Sequence, residues 1–311
     1  MQYCSFINSL IKKKLNDKNN IVSFGQNISS GSCLGGLTRD INKNNNLVLN
    51  TTNNEYSMSG LGFGLMLENV NGIYFHKQQD FTLLGMDHFV HTWNALSIDN
   101  LKSSYTIFSI VVDNGFEGPQ SCINMLKDIT SISNIPGYTI SNRDDAEYVI
   151  NNYLVNPGVR FVCVSQKLFK TEIIEISENP VLLDSQNVIY KYFQGNDVTI
   201  LCANFSFTEG LHLNNYFLKK ELKSSLINVS SAIPTNWEAI IKEVKKSKKL
   251  VILDDSKSKQ KELYNLSYQV LKAVPDCKIS INNRGRDYND SIPNSDEYYI
   301  CTDQIYNELF G

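Results

Sequence analysis

A single carboxylate stands in front of a run of small and apolar residues early in the sequence. The stretch reads "NNEYSMSGLGFG", in which Glu55 precedes Gly60, Gly62 and Gly64. Glycines in such a segment let a helix come close to neighbouring backbone. A carboxylate in apolar surroundings has a pKa that can be raised toward neutrality, which suits acid–base chemistry. The alternative is a first-turn helix residue that complements the helix dipole.

Other common catalytic motifs are missing from the sequence. There is no P-loop, and "GLGFG" lacks both the spacing and the preceding strand of a dinucleotide fingerprint. The four histidines do not indicate a catalytic triad, and His88 and His91, one turn apart, are interpreted as structural or surface residues. The cysteines form no CxxC pair, so no metal site is predicted.

Four segments, in order along the chain, together resemble the transketolase superfamily of thiamine diphosphate enzymes. "FEGPQS" resembles the Asp-Gly-Pro-Thr-His loop of transketolases, and "VSQKLF" is similar to their Ser-Arg-Gln-Asn-Leu strand end. The other two are "NNEYSMSGLGFG", with the family's glycine-rich helix, and "HKQQDFTLL", with the strand and helix that follow it. The resemblance covers the pyrimidine-binding domain and the C-terminal domain.

The resemblance gives Glu55 a specific role. In this family a carboxylate hydrogen-bonds the pyrimidine nitrogen N1′, so that the cofactor's own amino group becomes the base that removes the proton from C2. The same comparison assigns Phe81 to stacking on the pyrimidine ring, against the alternative of a core phenylalanine. Asn27 and Ile28 match the loop that lies against the centre of the cofactor.

The "FEGPQS" and "VSQKLF" elements would line the substrate entrance, and they depart from the family pattern. Glu117, Gln120, Ser121 and Gln166 are the predicted substrate residues. The family's loop histidine falls at Ser121, which puts the usual acceptor chemistry in doubt. Its phosphate-binding arginine falls at Gln166, and Lys167, one position further along a strand, would face the opposite side.

The family's diphosphate and Mg²⁺ motif, Gly-Asp-Gly followed by Asn, is absent from the sequence. The resemblance therefore implies a split-transketolase subunit that binds thiamine diphosphate and Mg²⁺ together with a separate diphosphate-binding subunit, as an α2β2 heterotetramer. It would transfer a two-carbon ketol or acyl unit from a keto-sugar or a 2-oxoacid. The alternatives are the E1 beta subunit of a 2-oxoacid dehydrogenase and a non-catalytic scaffold subunit.

Elements that could position these residues follow from hydrophobic periodicity. Buried strands alternate with helices, which favours parallel sheets with ligands at the carboxyl ends of the strands. With the resemblance, the prediction is an α/β fold of two three-layer α/β/α domains. A parallel-sheet pyrimidine-binding domain spans residues 1–185, and a transketolase C-terminal-like domain spans residues 186–311. "FTLLGMDHFVHTWNAL" is predicted to be a helix of about four turns, and "TEIIEISENPVLLDSQ" a connector.

Composition limits the classes of partner. The chain has 311 residues and a formal net charge of -3, which gives no electrostatic reason to expect nucleic acid or a membrane as partner. Basic residues follow the first apolar patch, the reverse of a secretory signal. The seven cysteines are odd in number and several lie in apolar runs, as in a reducing compartment. A cytoplasmic location is expected.

Overall fold

The computed structural model describes residues 1–41, 46–96, 101–176, 180–258, 262–284, 292–295 and 298–311. The described residues form two compact units. The first comprises Met1–Glu175 together with residues 292–295, and the second comprises the rest of the described chain from Ile176. The division falls ten residues before the boundary predicted at residue 185. The part of the chain described here contains no helix long and apolar enough to cross a membrane.

The first unit is built on a six-stranded sheet in which every pairing is parallel. Its strand order is β2-β1-β3-β4-β7-β6, and a two-residue strand, β5, lies outside this sheet. The strands are β1 Ile21–Gly25, β2 Leu47–Asn50, β3 Asn71–His76, β4 Ser104–Val111, β5 Gly115–Phe116, β6 Gly137–Ile140 and β7 Gly158–Ser165.

Helices cover this sheet on both faces. All eight positions of β4 are buried, which requires cover on both sides of the strand. In α1 the buried apolar residues Ile7, Ile11 and Leu15 recur every four positions and so form one stripe. The helices are α1 Tyr3–Asp17, α2 Glu55–Leu67, α3 Trp93–Leu96, α4 Leu126–Ser133 and α5 Arg143–Tyr153.

Two predicted helices of this unit have different bounds in the structure. The segment from Phe81 is not one continuous α-helix: a 3₁₀ segment at Gln79–Gly85 and a π segment at His88–Thr92 precede α3. The 3₁₀ part packs closely against α2, because a Cβ at its last residue, Gly85, would lie 2.2 Å from Ser59 Oγ. Helical periodicity also predicts a helix around "SCINMLKDITSI", but α4 begins only at Leu126.

The second unit contains a mixed sheet with the order β13-β12-β10-β11-β9-β8. The pairings β13–β12, β12–β10 and β10–β11 are parallel, whereas β9 runs antiparallel to both β11 and β8. The strands are β8 Val181–Asp184, β9 Ile189–Phe193, β10 Val198–Ala203, β11 Ser224–Val229, β12 Lys249–Asp254 and β13 Lys278–Asn283. The segment predicted as a connector therefore contains β8.

Four helices pack with the second sheet, and β10 and β11 are buried at every position. These four helices are α6 Phe207–Lys219, α7 Glu238–Ser247, α8 Glu262–Ala273 and α9 Thr302–Phe310. A last short strand, β14 Asn294–Ser295, belongs to the first unit, where it pairs antiparallel with β5. With two helix-covered sheets, the α/β fold class predicted from the sequence is confirmed.

Candidate functional site

Glu55 is the first residue of α2, and its side chain lies on the buried side of that helix. Asn54 caps the helix, since its Oδ1 accepts a hydrogen bond from the Ser57 amide at 3.2 Å. Glu55 is only 8% exposed. It shares one face with the other buried residues of α2, which are Ser59, Gly62, Phe63 and Met66. The first turn suits a carboxylate, but complementing the dipole does not require burial.

A narrow cleft lies at the carboxyl ends of β1, β2 and β3, and Glu55 is part of its wall. The chain passes from β1 to β2 on one side and returns to β3 on the other, so the strand order reverses between β1 and β3. Open α/β sheets bind ligands at such a switch point. The cleft is lined by Gln26, Thr51, Thr52, Glu55, Tyr74, Phe75, His76, Lys77 and Phe81.

Aromatic and titratable side chains meet in this cleft. Phe81 is half-buried, and the His76 ring stands edge-on to the Tyr74 ring with the centroids 4.2 Å apart. Burial, with a smaller contribution from the charge of Glu55, raises the pKa of Tyr74. Burial also lowers the pKa of His76 to about 3, so its imidazole is neutral at physiological pH. Glu55 and Phe81, both predicted from the sequence, thus line the same cleft.

Asn27 and Ile28 lie beside the cleft and are not among the residues that line it. Asn27 is exposed and has a positive φ of 58°, which asparagine tolerates. Ile28 is fully buried, and its Cγ2 would be 3.1 Å from a Cβ at Gly25. The residue of this loop that reaches the cleft wall is Gln26.

Among the four predicted substrate residues, Gln166 directly follows β7, whereas Glu117, Gln120 and Ser121 lie in the loop after β5. Gln166 Nε2 donates to Glu117 Oε1 at 2.6 Å, so the two segments meet. Ser121 Oγ donates to Gln78 Oε1 at 2.7 Å, which joins this loop to the segment that carries Phe81. Gln120 is exposed. The side chains that replace the family's histidine and arginine are therefore paired with polar groups of the same unit.

Two consecutive polar residues, Gln79 and Asp80, form hydrogen bonds with the loop between β5 and α4. Gln79 Oε1 accepts from the Met125 amide at 2.8 Å. The Asp80 carboxylate accepts from the amides of Cys122 and Ile123, at 3.1 and 3.4 Å. Burial raises the pKa of Asp80, although these hydrogen bonds act in the opposite direction. The loop and the cleft are consequently fixed to one short segment of chain.

Sequence reasoning did not predict several residues of the cleft wall. Tyr74 and His76 alternate along β3 and look like ordinary core positions, while Gln26, Thr51 and Lys77 come directly after strands. Their common signal is position, because each lies at or just beyond the carboxyl end of a parallel strand. Among the residues that the structure describes, no group of His, Cys, Asp and Glu could hold a metal ion.

No protein-family model and no curated protein matches the sequence. Solved structures do match. A split-gene transketolase, described as an inactive beta4 tetramer, has a TM-score of 0.69 at 9% identity, over 93% of this chain and 90% of that one. Transketolase from Campylobacter jejuni has a TM-score of 0.65 at 10% identity, over 98% of this chain but only 44% of its own length. The chain therefore has the fold of the transketolase superfamily.

Proposed function

We propose that this chain is the pyrimidine-binding half of a split, transketolase-like transferase that depends on thiamine diphosphate. It transfers a two-carbon ketol or acyl unit, acts in the cytoplasm, and works with a separate subunit. The observation that carries the proposal is the meeting of Glu55 and Phe81 in one cleft at the switch point of the first sheet. The transketolase-like fold supports it.

The chemistry of the cleft fits the aminopyrimidine half of the cofactor. Phe81 offers an aromatic face, and Glu55 offers a largely buried carboxylate to a basic ring nitrogen. When bound, thiamine diphosphate supplies a thiazolium carbon that can attack a substrate carbonyl group. The part of Glu55 in this chemistry is to hold the proton at ring nitrogen N1′. Burial of Glu55 and the rings of Tyr74 and Phe81 beside it limit the access of water and strengthen that interaction.

The rest of the cofactor needs another subunit. The cleft has a volume of only about 10 Å³, whereas sites for drug-sized ligands occupy ~300–1,000 Å³, so this chain supplies one wall of the cofactor site. The sequence lacks Gly-Asp-Gly, and the described residues contain no candidate metal cluster. We therefore assign the diphosphate and Mg²⁺ mainly to a partner in an α2β2 heterotetramer. The similar split-gene transketolase structure is described as an inactive beta4 tetramer, which agrees with a need for a partner.

The entrance to the site favours a substrate without a phosphate at that position. Glu117, exposed beside Gln166, contributes a negative charge there, and neither Gln120 nor Ser121 is cationic. A sugar phosphate would meet repulsion from Glu117 in place of the bidentate arginine that suits phosphate. An unphosphorylated keto-sugar or a small 2-oxoacid is the substrate class proposed.

Reconstitution tests the proposal. The chain is co-expressed with the product of the neighbouring gene, and cofactor binding and ketol transfer are measured for the wild type, Glu55→Gln and Glu55→Ala. Both Glu55 variants are expected to reduce kcat by about 10²–10⁴-fold. Glu68→Gln is the matched control, because Glu68 is an exposed carboxylate at the other end of α2. Full activity of Glu55→Ala would contradict the proposal.

A non-catalytic scaffold subunit is the second candidate. It is favoured by the pairing of Ser121 with Gln78 and of Gln166 with Glu117, which engages the side chains at the substrate entrance. A reconstituted complex whose transfer activity is indifferent to every Glu55 variant would support the scaffold. Activity that depends on Glu55 and requires an added lipoyl domain would instead indicate an E1 beta subunit.

A further inference from the structure

His76, the last residue of β3, is a polar residue of the cleft for which neither the motifs nor the proposed chemistry provides a role. It is 3% exposed. Its Nδ1 lies 2.9 Å from Thr82 Oγ1, and Thr82 Oγ1 lies 3.4 Å from Ser109 Oγ. Its Nε2 is buried and has no hydrogen-bond partner among the described residues.

An unsatisfied buried nitrogen is costly, because it has lost its hydrogen bonds to water without a replacement. The surroundings keep the ring from turning outward to find water. Thr82 holds one nitrogen, and the Tyr74 ring packs against the imidazole at an interplanar angle of 79°. A fixed, unsatisfied group of this kind on the wall of a cleft is the arrangement expected where a ligand completes the hydrogen bonding.

The neighbours of His76 restrict the chemistry of that ligand. The same cleft presents the Glu55 carboxylate, the Phe81 ring and the Tyr74 ring. Burial keeps the imidazole neutral, and the charged groups that line the cleft with it are Glu55 and Lys77. These side chains together match a planar heteroaromatic ring. A basic ring nitrogen would face the Glu55 carboxylate, and an exocyclic N–H group would donate to the lone pair of the His76 imidazole. An aminopyrimidine has both features.

We propose that His76 is a positioning residue whose Nε2 accepts a hydrogen bond from the exocyclic amine of a bound aminopyrimidine. This role requires the tautomer in which Nδ1–H donates to Thr82 Oγ1 and the Thr82 hydroxyl in turn donates to Ser109 Oγ. His76 then sets the orientation of the ring in its plane, while Glu55 engages a ring nitrogen. The inference rests on the proposed function, because it names a further residue of the same cleft.

Imidazole NMR on the full-length chain tests the inference without turnover. Histidine is labelled with ¹³C and ¹⁵N, and the His76 signals are assigned by their loss in His76→Gln. The probe is 4-amino-2,5-dimethylpyrimidine, and 2,5-dimethylpyrimidine, which lacks the amine, is the comparison. The expected result is an unprotonated Nε2 in the free chain, and a saturable shift of its ¹⁵N signal with the amino probe only.

Variants separate a positioning role from a structural one. His76→Phe is expected to weaken binding of the amino probe about tenfold, as loss of one hydrogen bond predicts. It should leave the weak binding of the amine-free probe unchanged. Thr82→Val should weaken binding of the amino probe less than His76→Phe does, and it should allow a mixture of tautomers at His76. His212→Phe, at an exposed position of α6 in the second unit, is the matched control and should change neither affinity.

Three results would overturn the inference: a protonated Nε2 in the free chain, equal His76 shifts with both probes, or His76 signals that stay unmoved at the highest soluble probe concentration. Failure here is distinguishable from failure of the proposed function. Glu55-dependent transfer in the reconstituted complex with unmoved His76 signals would refute only the role of His76. Probe binding at His76 without any transfer in the complex would refute the transferase.

Discussion

A neutral histidine in a buried site makes the stability of the fold depend on pH. The pKa of His76 lies near 3 in the folded chain, against its usual value of 6.5, because burial disfavours the charged ring. Below pH 6.5 the unfolded chain takes up a proton that the folded chain does not. The free energy of unfolding therefore falls with decreasing pH, by up to about 1.4 kcal/mol per pH unit from this group, until pH 3 is approached.

His76→Gln should remove that contribution. Urea unfolding at pH 7.0 and pH 4.5 is expected to give a loss of stability on acidification that is roughly 2–3 kcal/mol smaller in His76→Gln than in the wild type. His212→Gln, which replaces an exposed histidine, should behave as the wild type does. An unchanged acid dependence in His76→Gln would mean that the imidazole is charged in the folded chain.

The difference between Glu55 and His76 illustrates which site residues can be predicted from sequence. Glu55 is prominent because a charge before a glycine-rich apolar run is unusual, and Phe81 follows a recognisable segment. His76 follows Tyr74 by two positions in an otherwise apolar strand, where the pattern indicates only a buried face. Its meaning depends on which nitrogen lacks a partner, and that is a property of packing.

At the scale of elements, α2 is shaped by how closely its neighbours approach. A Cβ at Gly62 would lie 2.1 Å from Tyr105 Cζ, so no side chain fits there without displacing the Tyr105 ring. A Cβ at Gly64 would meet nothing within 4 Å. The two glycines are two positions apart in the same helix, yet only one of them is required by packing.

This contrast gives a matched pair of substitutions. Gly62→Ala is expected to lower the free energy of unfolding by about 1–3 kcal/mol, as overpacking of a core does. Gly64→Ala should raise it by up to about 1 kcal/mol, because alanine favours the helix interior over glycine. Denaturant unfolding of both variants measures the two changes. Similar effects of the two substitutions would mean that helix propensity, and not contact with Tyr105, governs α2.

Elements with a strong period were predicted well, whereas elements defined by their neighbours were not. The continuous apolar run of β4 indicates a strand buried on both faces, and the four-residue repeat of apolar residues in α1 indicates a helix with one buried face. The edge strands β2 and β8 each contain only three consecutive apolar residues and are partly exposed, so their apolar runs are too short to indicate buried strands. The predicted helix from Phe81 onward has the expected period, but the chain forms a 3₁₀ segment there whose last residue, Gly85, packs against Ser59 of α2.

At the scale of the whole molecule, topology explains why residues far apart in sequence form one site. Parallel strands align their carboxyl ends, so the turns after β1, β2 and β3 lie at one edge of the first sheet, with those after β4 and β7 farther along it. The Gln78–Ser121 hydrogen bond joins the cleft to the entrance loop along this edge. Strand alternation predicted the edge, but the order β2-β1-β3-β4-β7-β6 that locates the switch point could not be read from periodicity.

The second unit has its own buried ion-pair cluster, far in sequence from the substitutions in α2. The Glu243 carboxylate, 6% exposed, lies 2.8 Å from Lys246 Nζ and 3.3 Å from Lys191 Nζ. Burial alone would raise its pKa, but the hydrogen bond from Lys246 and the charge of Lys191 outweigh burial and lower the pKa below its ordinary value of 4.5. The stabilisation is therefore present above pH 4.5 and is lost as the pH falls below it.

Glu243→Gln should cost roughly 1–2 kcal/mol at pH 7, because it leaves two ammonium groups facing a neutral amide, and the cost should shrink below pH 4.5. Gly62→Ala acts in the core of the first unit and Glu243→Gln in the second, and each disturbs contacts within its own unit. In the double variant the two losses should add to within about 0.5 kcal/mol, as expected for sites without shared partners. Denaturant unfolding of the wild type, both single variants and the double variant at pH 7 gives the comparison. A larger departure from additivity would mean that the two substitutions disturb shared contacts.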